Sequence, residues 1–303
     1  MIIAKNSLVF IILSAILVGV SLFSVYNFGL RMGIDFTGGS IMEIAYKGAR
    51  PDIAIVKETV GKAGVEGAVV QTSGTDGFLI RSRALTDTEH RTVRDSLSLL
   101  AETPTASAQS NFIENQFNSI GPVIGSELKQ KAIYGIMVVV FLIVSYITFV
   151  FRKVSKPVAS WKYGTAAIIA LAHDIAIPFG VYAFLGLEVD VLFVTALLAI
   201  LGFSIHDTIV VFDRIRENLK GAKRDETFEH TVGKSLNETF VRSINTSFTV
   251  FITLMALYIL GGESTRNFSF ILVVGVIAGT YSSIFLASPL LVLWDRYFSV
   301  KNS

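Results

Sequence analysis

Six stretches of the chain stay apolar for long enough to cross a bilayer: residues 8–28, 133–151, 164–187, 191–212, 244–260 and 268–294. The pattern therefore predicts six transmembrane helices. Between the first and the second, from Arg31 to Lys131, charge, Gly, Ser and Thr return. Within that insert, residues 40–46, 68–72, 78–83 and 112–120 read as strands. Residues 51–63 read as a helix with Pro51 at its start, and residues 86–102 as an amphipathic helix with Thr86 as N-cap and Glu89 at the capping-box position. A Gly-containing turn, SGTDG at 73–77, joins the second and third strands. The order β-α-β-β-α-β is that of a ferredoxin-like split βαβ unit, and about a hundred residues suffice for one small core. The expected fold is thus an α-helical polytopic membrane protein with six transmembrane helices and one α+β ferredoxin-like extracytoplasmic domain. Its expected parts are a first helix (1–30), the exported domain (31–130), helices two to six (131–296) and a cytoplasmic tail (297–303).

Composition agrees with a membrane protein: of 303 residues, 52% are hydrophobic and only 17% charged, too apolar for an ordinary soluble domain. The chain has no cysteine, which removes disulfides, thiolate nucleophiles and Cys-based metal sites. Charge alternates between the connections. Arg152, Lys153, Lys156 and Lys162 follow span two, and Arg214, Arg216, Lys220, Lys223, Arg224 and Lys234 follow span four, whereas the short turns after spans three and five carry Glu188, Asp190 and Glu263 against Arg266. By the positive-inside rule both termini are cytoplasmic and the insert lies outside. The first span exceeds a signal-peptide core and lacks a clear cleavage site, so it reads as an uncleaved helix that doubles as the export signal.

Polar groups inside the spans carry the candidate chemistry. An ionised carboxylate at mid-membrane costs roughly 2.5–3.5 kcal/mol on insertion scales, so Asp207 in the fourth span calls for a partner or a job. Ser204 lies on its helix face, and His206 points about 100° away. Arg242 enters the fifth span at similar depth, so the two consecutive spans can form an Asp207–Arg242 pair. Arg242, Asn245, Thr246 and Thr249 follow i, i+3, i+4, i+7 spacing, a polar stripe on a membrane helix. His173 and Asp174 sit near the centre of span three. No His-x-x-x-His or Glu-x-x-His spacing accompanies them, so a proton path fits these residues better than a metal site. Helix glue is the competing role for Asp174 and Asp207, and interfacial snorkelling for Arg242.

Enzyme readings fail on the motifs. GIDFTGGS at 33–40 has no following Gly-Lys-Ser/Thr and precedes a strand, so it is no phosphate loop, and no GxSxG occurs. His90 and His230 read as solvated surface residues. The basic run 214–224 reads as a topology anchor and lipid contact, not a nucleic-acid site. No cofactor and no metal are expected, so energy must come from an ion gradient or a partner.

GIDFTGGS at 33–40, IGPVIGSELKQKA at 120–132, LAHD at 171–174, GFSIHDTIVVFDRIREN at 202–218 and NETFVRSINTS at 237–247 occur in the order characteristic of one family. Across essentially its whole length the chain resembles the SecF branch of the SecD/SecF family of bacterial protein-export membrane proteins, within the resistance-nodulation-division superfamily. The resemblance implies an accessory subunit of the Sec translocase in the bacterial inner membrane. It would pair with SecD as a pseudo-symmetric twelve-span unit, associate with the SecYEG channel and with YajC and YidC where present, and engage unfolded preprotein. The resemblance also implies a role in proton flow for Asp207 and Arg242, with Thr246 one turn beyond. His206 stands where the family more usually has Asn, which leaves both the coupling ion, proton or sodium, and its pH range open. Two other functions fit the residues: a six-helix scaffold without ion transport, and half of a small-molecule or lipid exporter.

Overall fold

The computed structural model describes residues 2–47, 50–101, 112–151, 160–222 and 226–299. Of the residues singled out above, Glu102, Arg152, Lys153, Lys156, Lys223, Arg224 and the tail 300–303 lie outside this set. The chain divides into two compact units, Met1–Arg31 with Tyr134–Ser303, and Met32–Ile133.

In the second unit, β1 (Gly39–Tyr46), α2 (Ile53–Lys62), β2 (Val69–Ser73), β3 (Gly77–Ser82), α3 (Asp87–Ser98) and β4 (Phe112–Ile120) follow one another. The sheet order is β2-β3-β1-β4, with every neighbouring pair antiparallel. β1 is central and alternates strictly: Met42, Ile44 and Tyr46 are buried, while Ile41, Glu43 and Ala45 are half-buried on the other face. Onto the first face pack Val56 and Val60 of α2 and Val93 and Leu97 of α3, with Phe78 and Ile80 of β3 beside them. Tyr46 donates its hydroxyl to the Leu97 carbonyl at 3.1 Å, and burial pushes that phenol up to about 12.

Two details differ from the sequence expectation. Pro51 precedes α2 and does not start it, because Asp52 takes the N-cap and accepts from the Ala54 N–H at 2.7 Å. His90 is not solvated: its Nε2 meets Glu114 Oε1 at 2.7 Å and its ring stacks on Phe117 with centroids 3.7 Å apart. His230, by contrast, is exposed beside Glu226. Ahead of β1, residues Ile34–Thr37 form a single helical turn that ends in Gly38 and Gly39, both at positive φ. Gly125 packs directly on the Gly38 amide and on Phe36, so close an approach that a side chain on either glycine would strike backbone.

The first unit contains α1 (Ser7–Phe28), α4 (Pro122–Phe151, whose first residues belong to the other unit), α5 (Ser160–Leu185), α6 (Val191–Gly221), α7 (Phe228–Leu260) and α8 (Glu263–Ser282). A five-residue π-turn, Ser283–Ala287, links α8 to α9 (Ser288–Ser299). Among the described residues, six helices are long and apolar enough to cross a membrane, with α8, the π-turn and α9 together forming the last. Several helices run past the apolar stretches that announced them. α4 begins at Pro122 and α7 at Phe228, since intrahelical hydrogen bonding continues where apolar composition stops. The polar lead-in is thus helix, and hydropathy marks the membrane-compatible part only.

α6 is the hub of this unit, with Phe193, Ala196, Ile200, Ser204, Asp207 and Val211 buried along one side. α4 is the most peripheral: it buries Ile147 and Phe151 at its end, where the Phe151 ring stacks on Tyr163 at 5.5 Å and meets Phe212 edge-on at 5.8 Å. α8 reaches α6 through Gly275 against Ile200 and Gly279 against Ser204, a small-xxx-small contact that lets the two backbones approach.

Gly275→Leu should force α8 off α6 and cost about 1–3 kcal/mol by overpacking; a lowered thermal unfolding midpoint of the detergent-solubilised protein, against an unchanged one for Gly19→Leu, checks it. In the sheet unit, the Arg83 side chain first, and then the Thr86 backbone and hydroxyl, hold Glu89 down at about 2. A depressed carboxylate contributes stability that is present above its ordinary value of 4.5 and lost as pH falls toward 2. Glu89→Gln should therefore flatten the loss of amide-exchange protection in the first turn of α3 across that acid window.

Candidate functional site

Among the described residues two carboxylates lie buried in the helical unit, Asp174 on α5 at 0% exposure and Asp207 on α6 at 7%. Neither forms an ion pair with Lys or Arg among the described residues. Hydroxyl groups surround them instead. Asp207 Oδ1 accepts from Ser243 Oγ of α7 at 2.6 Å, and Oδ2 accepts from Ser283 Oγ of the π-turn. Asp174 Oδ2 accepts from Ser204 Oγ of α6 and from Ser282 Oγ of α8 at 2.7 Å, while its Oδ1 meets His173 Nδ1 at 2.9 Å.

The local sequence explains these placements. Ser204 and Asp207 stand three residues apart on α6, so the same helix face gives a donor to one carboxylate and carries the other. Ser282 and Ser283 are adjacent and would diverge by about 100° in a regular helix. They reach different acids at the point where α8 passes into the π-turn. That turn precedes Pro289, which has no N–H for the carbonyl one turn back, and a π-turn is a common accommodation of such a break. Pro178 likewise stands four residues after Asp174 inside α5 and deprives that residue's carbonyl of its helical donor. On α7, Thr231, Ser235, Thr239, Ser243 and Ser247 are all buried at fourfold spacing. This lane of small hydroxyl residues turns Ser243 toward α6.

The residues proposed from the sequence fall into two groups. Asp207, Ser204, His173 and Asp174 are buried and brought together. Arg242, Asn245 and Thr246 lie exposed on the outer face of α7 with Thr249, and His206 lies exposed on α6. Thr246 bonds back to the Arg242 carbonyl at 2.9 Å, and Thr249 to the Asn245 carbonyl. The Asp207–Arg242 pair is not formed, because Ser243, the next residue on the helix, occupies the facing position. Ser243, Ser282 and Ser283 were the residues the sequence reading missed. The fourfold Ser/Thr lane on α7 is a signal for the first, and the Ser-Ser pair ahead of Ser-Pro in the last span marks the others.

A serine hydroxyl donates to a carboxylate and accepts from a carboxylic acid. Both protonation states of Asp207 and of Asp174 thus find partners without rebuilding the site, which is what a proton-binding group inside a membrane requires. Beyond the membrane core, α6 and α7 are tied by Arg214 to Glu238 at 2.7 Å and by Asn218 to Glu238 at 2.8 Å. Part of the basic run therefore holds helices together.

Removing one hydroxyl leaves a buried carboxyl oxygen short of a donor, a loss of about 1–3 kcal/mol. Ser283→Ala should lower the unfolding midpoint accordingly, and Ser283→Thr, which keeps the hydroxyl, should restore most of it.

Residues 23–49 match the family described as SecD/SecF GG Motif, and residues 100–297 match Protein export membrane protein SecD/SecF, C-terminal. The chain is 43% identical over 283 residues to Protein translocase subunit SecF of Thermobaculum terrenum, covering 89% of this chain and 86% of that one. To the subunit of the same name from Haemophilus influenzae it is 35% identical over 277 residues, covering 91% and 80%. Among solved structures it superposes on SecDF, a translocon-associated membrane protein from Thermus thermophilus, with a TM-score of 0.80 and 31% identity over 97% of this chain. SecDF in a super-membrane-facing form gives 0.65 and 33% over 99%. The chain spans 38% and 39% of those two SecDF chains.

Proposed function

The chain belongs to the SecD/SecF family of protein-export membrane proteins, and from that premise we propose that it is an accessory subunit of the bacterial Sec translocase that draws on the proton gradient through Asp207. The observation that carries this reading is a carboxylate buried among hydroxyls, with no Lys or Arg paired to it among the described residues, one helix position away from an arginine. In the proposed cycle, the hydroxyl-bound arrangement holds the protonated acid. Release of the proton leaves an anion in an apolar bundle, and rotation of α7 by about one residue, roughly 100°, exchanges Ser243 for Arg242 at the carboxylate. Protonation from outside frees the arginine again. One proton falling through 100 mV supplies about 2.3 kcal/mol, within the range of coupling energies that move conformational equilibria.

In this reading the outer stripe of α7, with Arg242, Asn245, Thr246 and Thr249, faces a SecD half, in keeping with a chain that covers 38% of a SecDF polypeptide. Exposed polar groups on a membrane helix favour protein over lipid as the neighbour. The termini lie in the cytoplasm and the sheet unit outside, where its β-α-β-β-α-β order and antiparallel sheet suit a ferredoxin-like domain that handles emerging polypeptide. SecYEG is the channel it would serve. No enzymatic step and no bound cofactor enter the proposal.

Asp207→Asn, with Arg242→Met beside it, tests the reading in membrane vesicles carrying SecD and the channel. The gradient-dependent part of translocation should disappear while assembly and gradient-independent export persist. Unchanged gradient-dependent export would overturn the proposal and leave Asp207 as a packing residue in a scaffold.

A further inference from the structure

His173 and Asp174 take no part in the cycle just described, yet they are more deeply buried than Asp207, at 2% and 0% exposure. The histidine has two distinct edges. Nδ1 faces Asp174 Oδ1 at 2.9 Å, whereas Nε2 is buried with no hydrogen-bond partner among the described residues. The ring also lines a cavity of 450 Å³ between α1, α5 and the last helix, together with Ile11, Ser14, Ile169, Leu286 and Leu290. Helix packing alone gives no reason to bury a ring nitrogen unsatisfied. An imidazole that lines a cavity, with one nitrogen on a carboxylate and the other without a hydrogen-bond partner among the described residues, can serve as a proton shuttle.

Asp174 in turn is tied to Asp207. The two sites share neighbours: α6 supplies Ser204 to Asp174 and carries Asp207 one turn later, and the adjacent Ser282 and Ser283 reach Asp174 and Asp207 respectively. Adjacent residues at a π-turn do not move independently. Of the titratable groups nearby, His173 on its own helix meets Asp174 directly, Asp207 stands one turn past Ser204 on α6, and the Tyr281 ring on α8 lies 5.8 Å from the His173 ring. α1 presents Ser14 and the Phe10 carbonyl, both bonded to the Tyr281 hydroxyl.

We propose that Asp174 is a second intramembrane proton site, that His173 loads it from the cavity beside α1, and that the Ser282–Ser283 pair couples its protonation state to that of Asp207. A proton arriving at Nε2 makes the imidazolium, and Nδ1 passes its proton to Asp174 Oδ1. The products are a neutral imidazole protonated at Nε2 and a neutral carboxylic acid, so one proton has entered and one carboxylate has been discharged. The coupling rests on the reading of Asp207 as a proton carrier; the loading of Asp174 does not.

Infrared titration of the full chain with its SecD partner in liposomes separates the two. Between pH 5 and 9 the wild type should show two carboxyl bands, of which Asp174→Asn removes one and Asp207→Asn the other. In Asp207→Asn the midpoint of the surviving band should shift from its wild-type value, and in Ser282→Ala with Ser283→Ala that dependence should shrink. His173→Gln should slow the appearance of the Asp174 band after a pH jump at least tenfold. Asp174→Glu keeps a carboxyl and serves if Asp174→Asn does not fold: its band must move in frequency. A spectrum unchanged by every substitution at Asp174 overturns the second site while a surviving Asp207 band leaves the proposed function standing. Loss of the Asp207 band alone from the wild-type pattern would instead sink that function. A midpoint for Asp174 that ignores Asp207 overturns the coupling.

Discussion

Two carboxylates must be held in an apolar bundle with no Lys or Arg partner among the described residues, and the arrangement of the helical unit follows from how that is done. An unsolvated acid needs hydrogen-bond partners at short range, and serine hydroxyls are small enough to supply them without opening the packing. Asp174 and Asp207 therefore draw α5, α6, α7, α8 and the π-turn together at one level, each helix contributing an acid, a hydroxyl or both. A cation in the same place would have locked the acids in one charge state. Hydroxyls leave both states available, at the expense of some binding strength.

Close helix approach is the second half of that arrangement. Gly275 and Gly279 let α8 come near α6 at the level where Ser204 donates to Asp174, and Ser243 reaches Asp207 because α7 turns a lane of Ser and Thr inward. In a membrane, where apolar surface gains little by pairing with apolar surface, such small-residue contacts and interhelical hydrogen bonds supply much of the association. The same economy makes the bundle adjustable. Arg242 and Ser243 are neighbours on α7, so exchanging one for the other at Asp207 calls for rotation of that helix.

The sheet unit is built on ordinary aqueous terms. β1 alternates between a face covered by α2 and α3 and a face carrying Glu43, and its core of Ile44, Tyr46, Phe78 and Leu97 closes without cysteine. Stacked on Phe117 and bonded to Glu114, His90 shows that a charged-looking helix can still place a ring on the sheet.

What the sequence by itself determined is what depends on local composition and period: six apolar spans, an intervening β-α-β-β-α-β order, the Thr86–Glu89 cap, and the identity of the costly polar residues within the spans. Those features are legible because each is set by residues within one or two turns of one another. Helix ends were less so, since the ladder of backbone hydrogen bonds runs on where hydropathy stops, as at Pro122 and Phe228. Tertiary structure decided the partners. Depth along the membrane put Arg242 level with Asp207, but azimuth around α7 turned Ser243 inward and Arg242 outward, a difference of one residue that no depth argument resolves. The joining of Asp174 to Asp207 needed more still: a π-turn ahead of Pro289 and a glycine contact between α8 and α6 place Ser282, Ser283 and Ser204 across residues up to 108 positions apart. Such long-range geometry arises from packing, and packing is written in no single stretch of the chain.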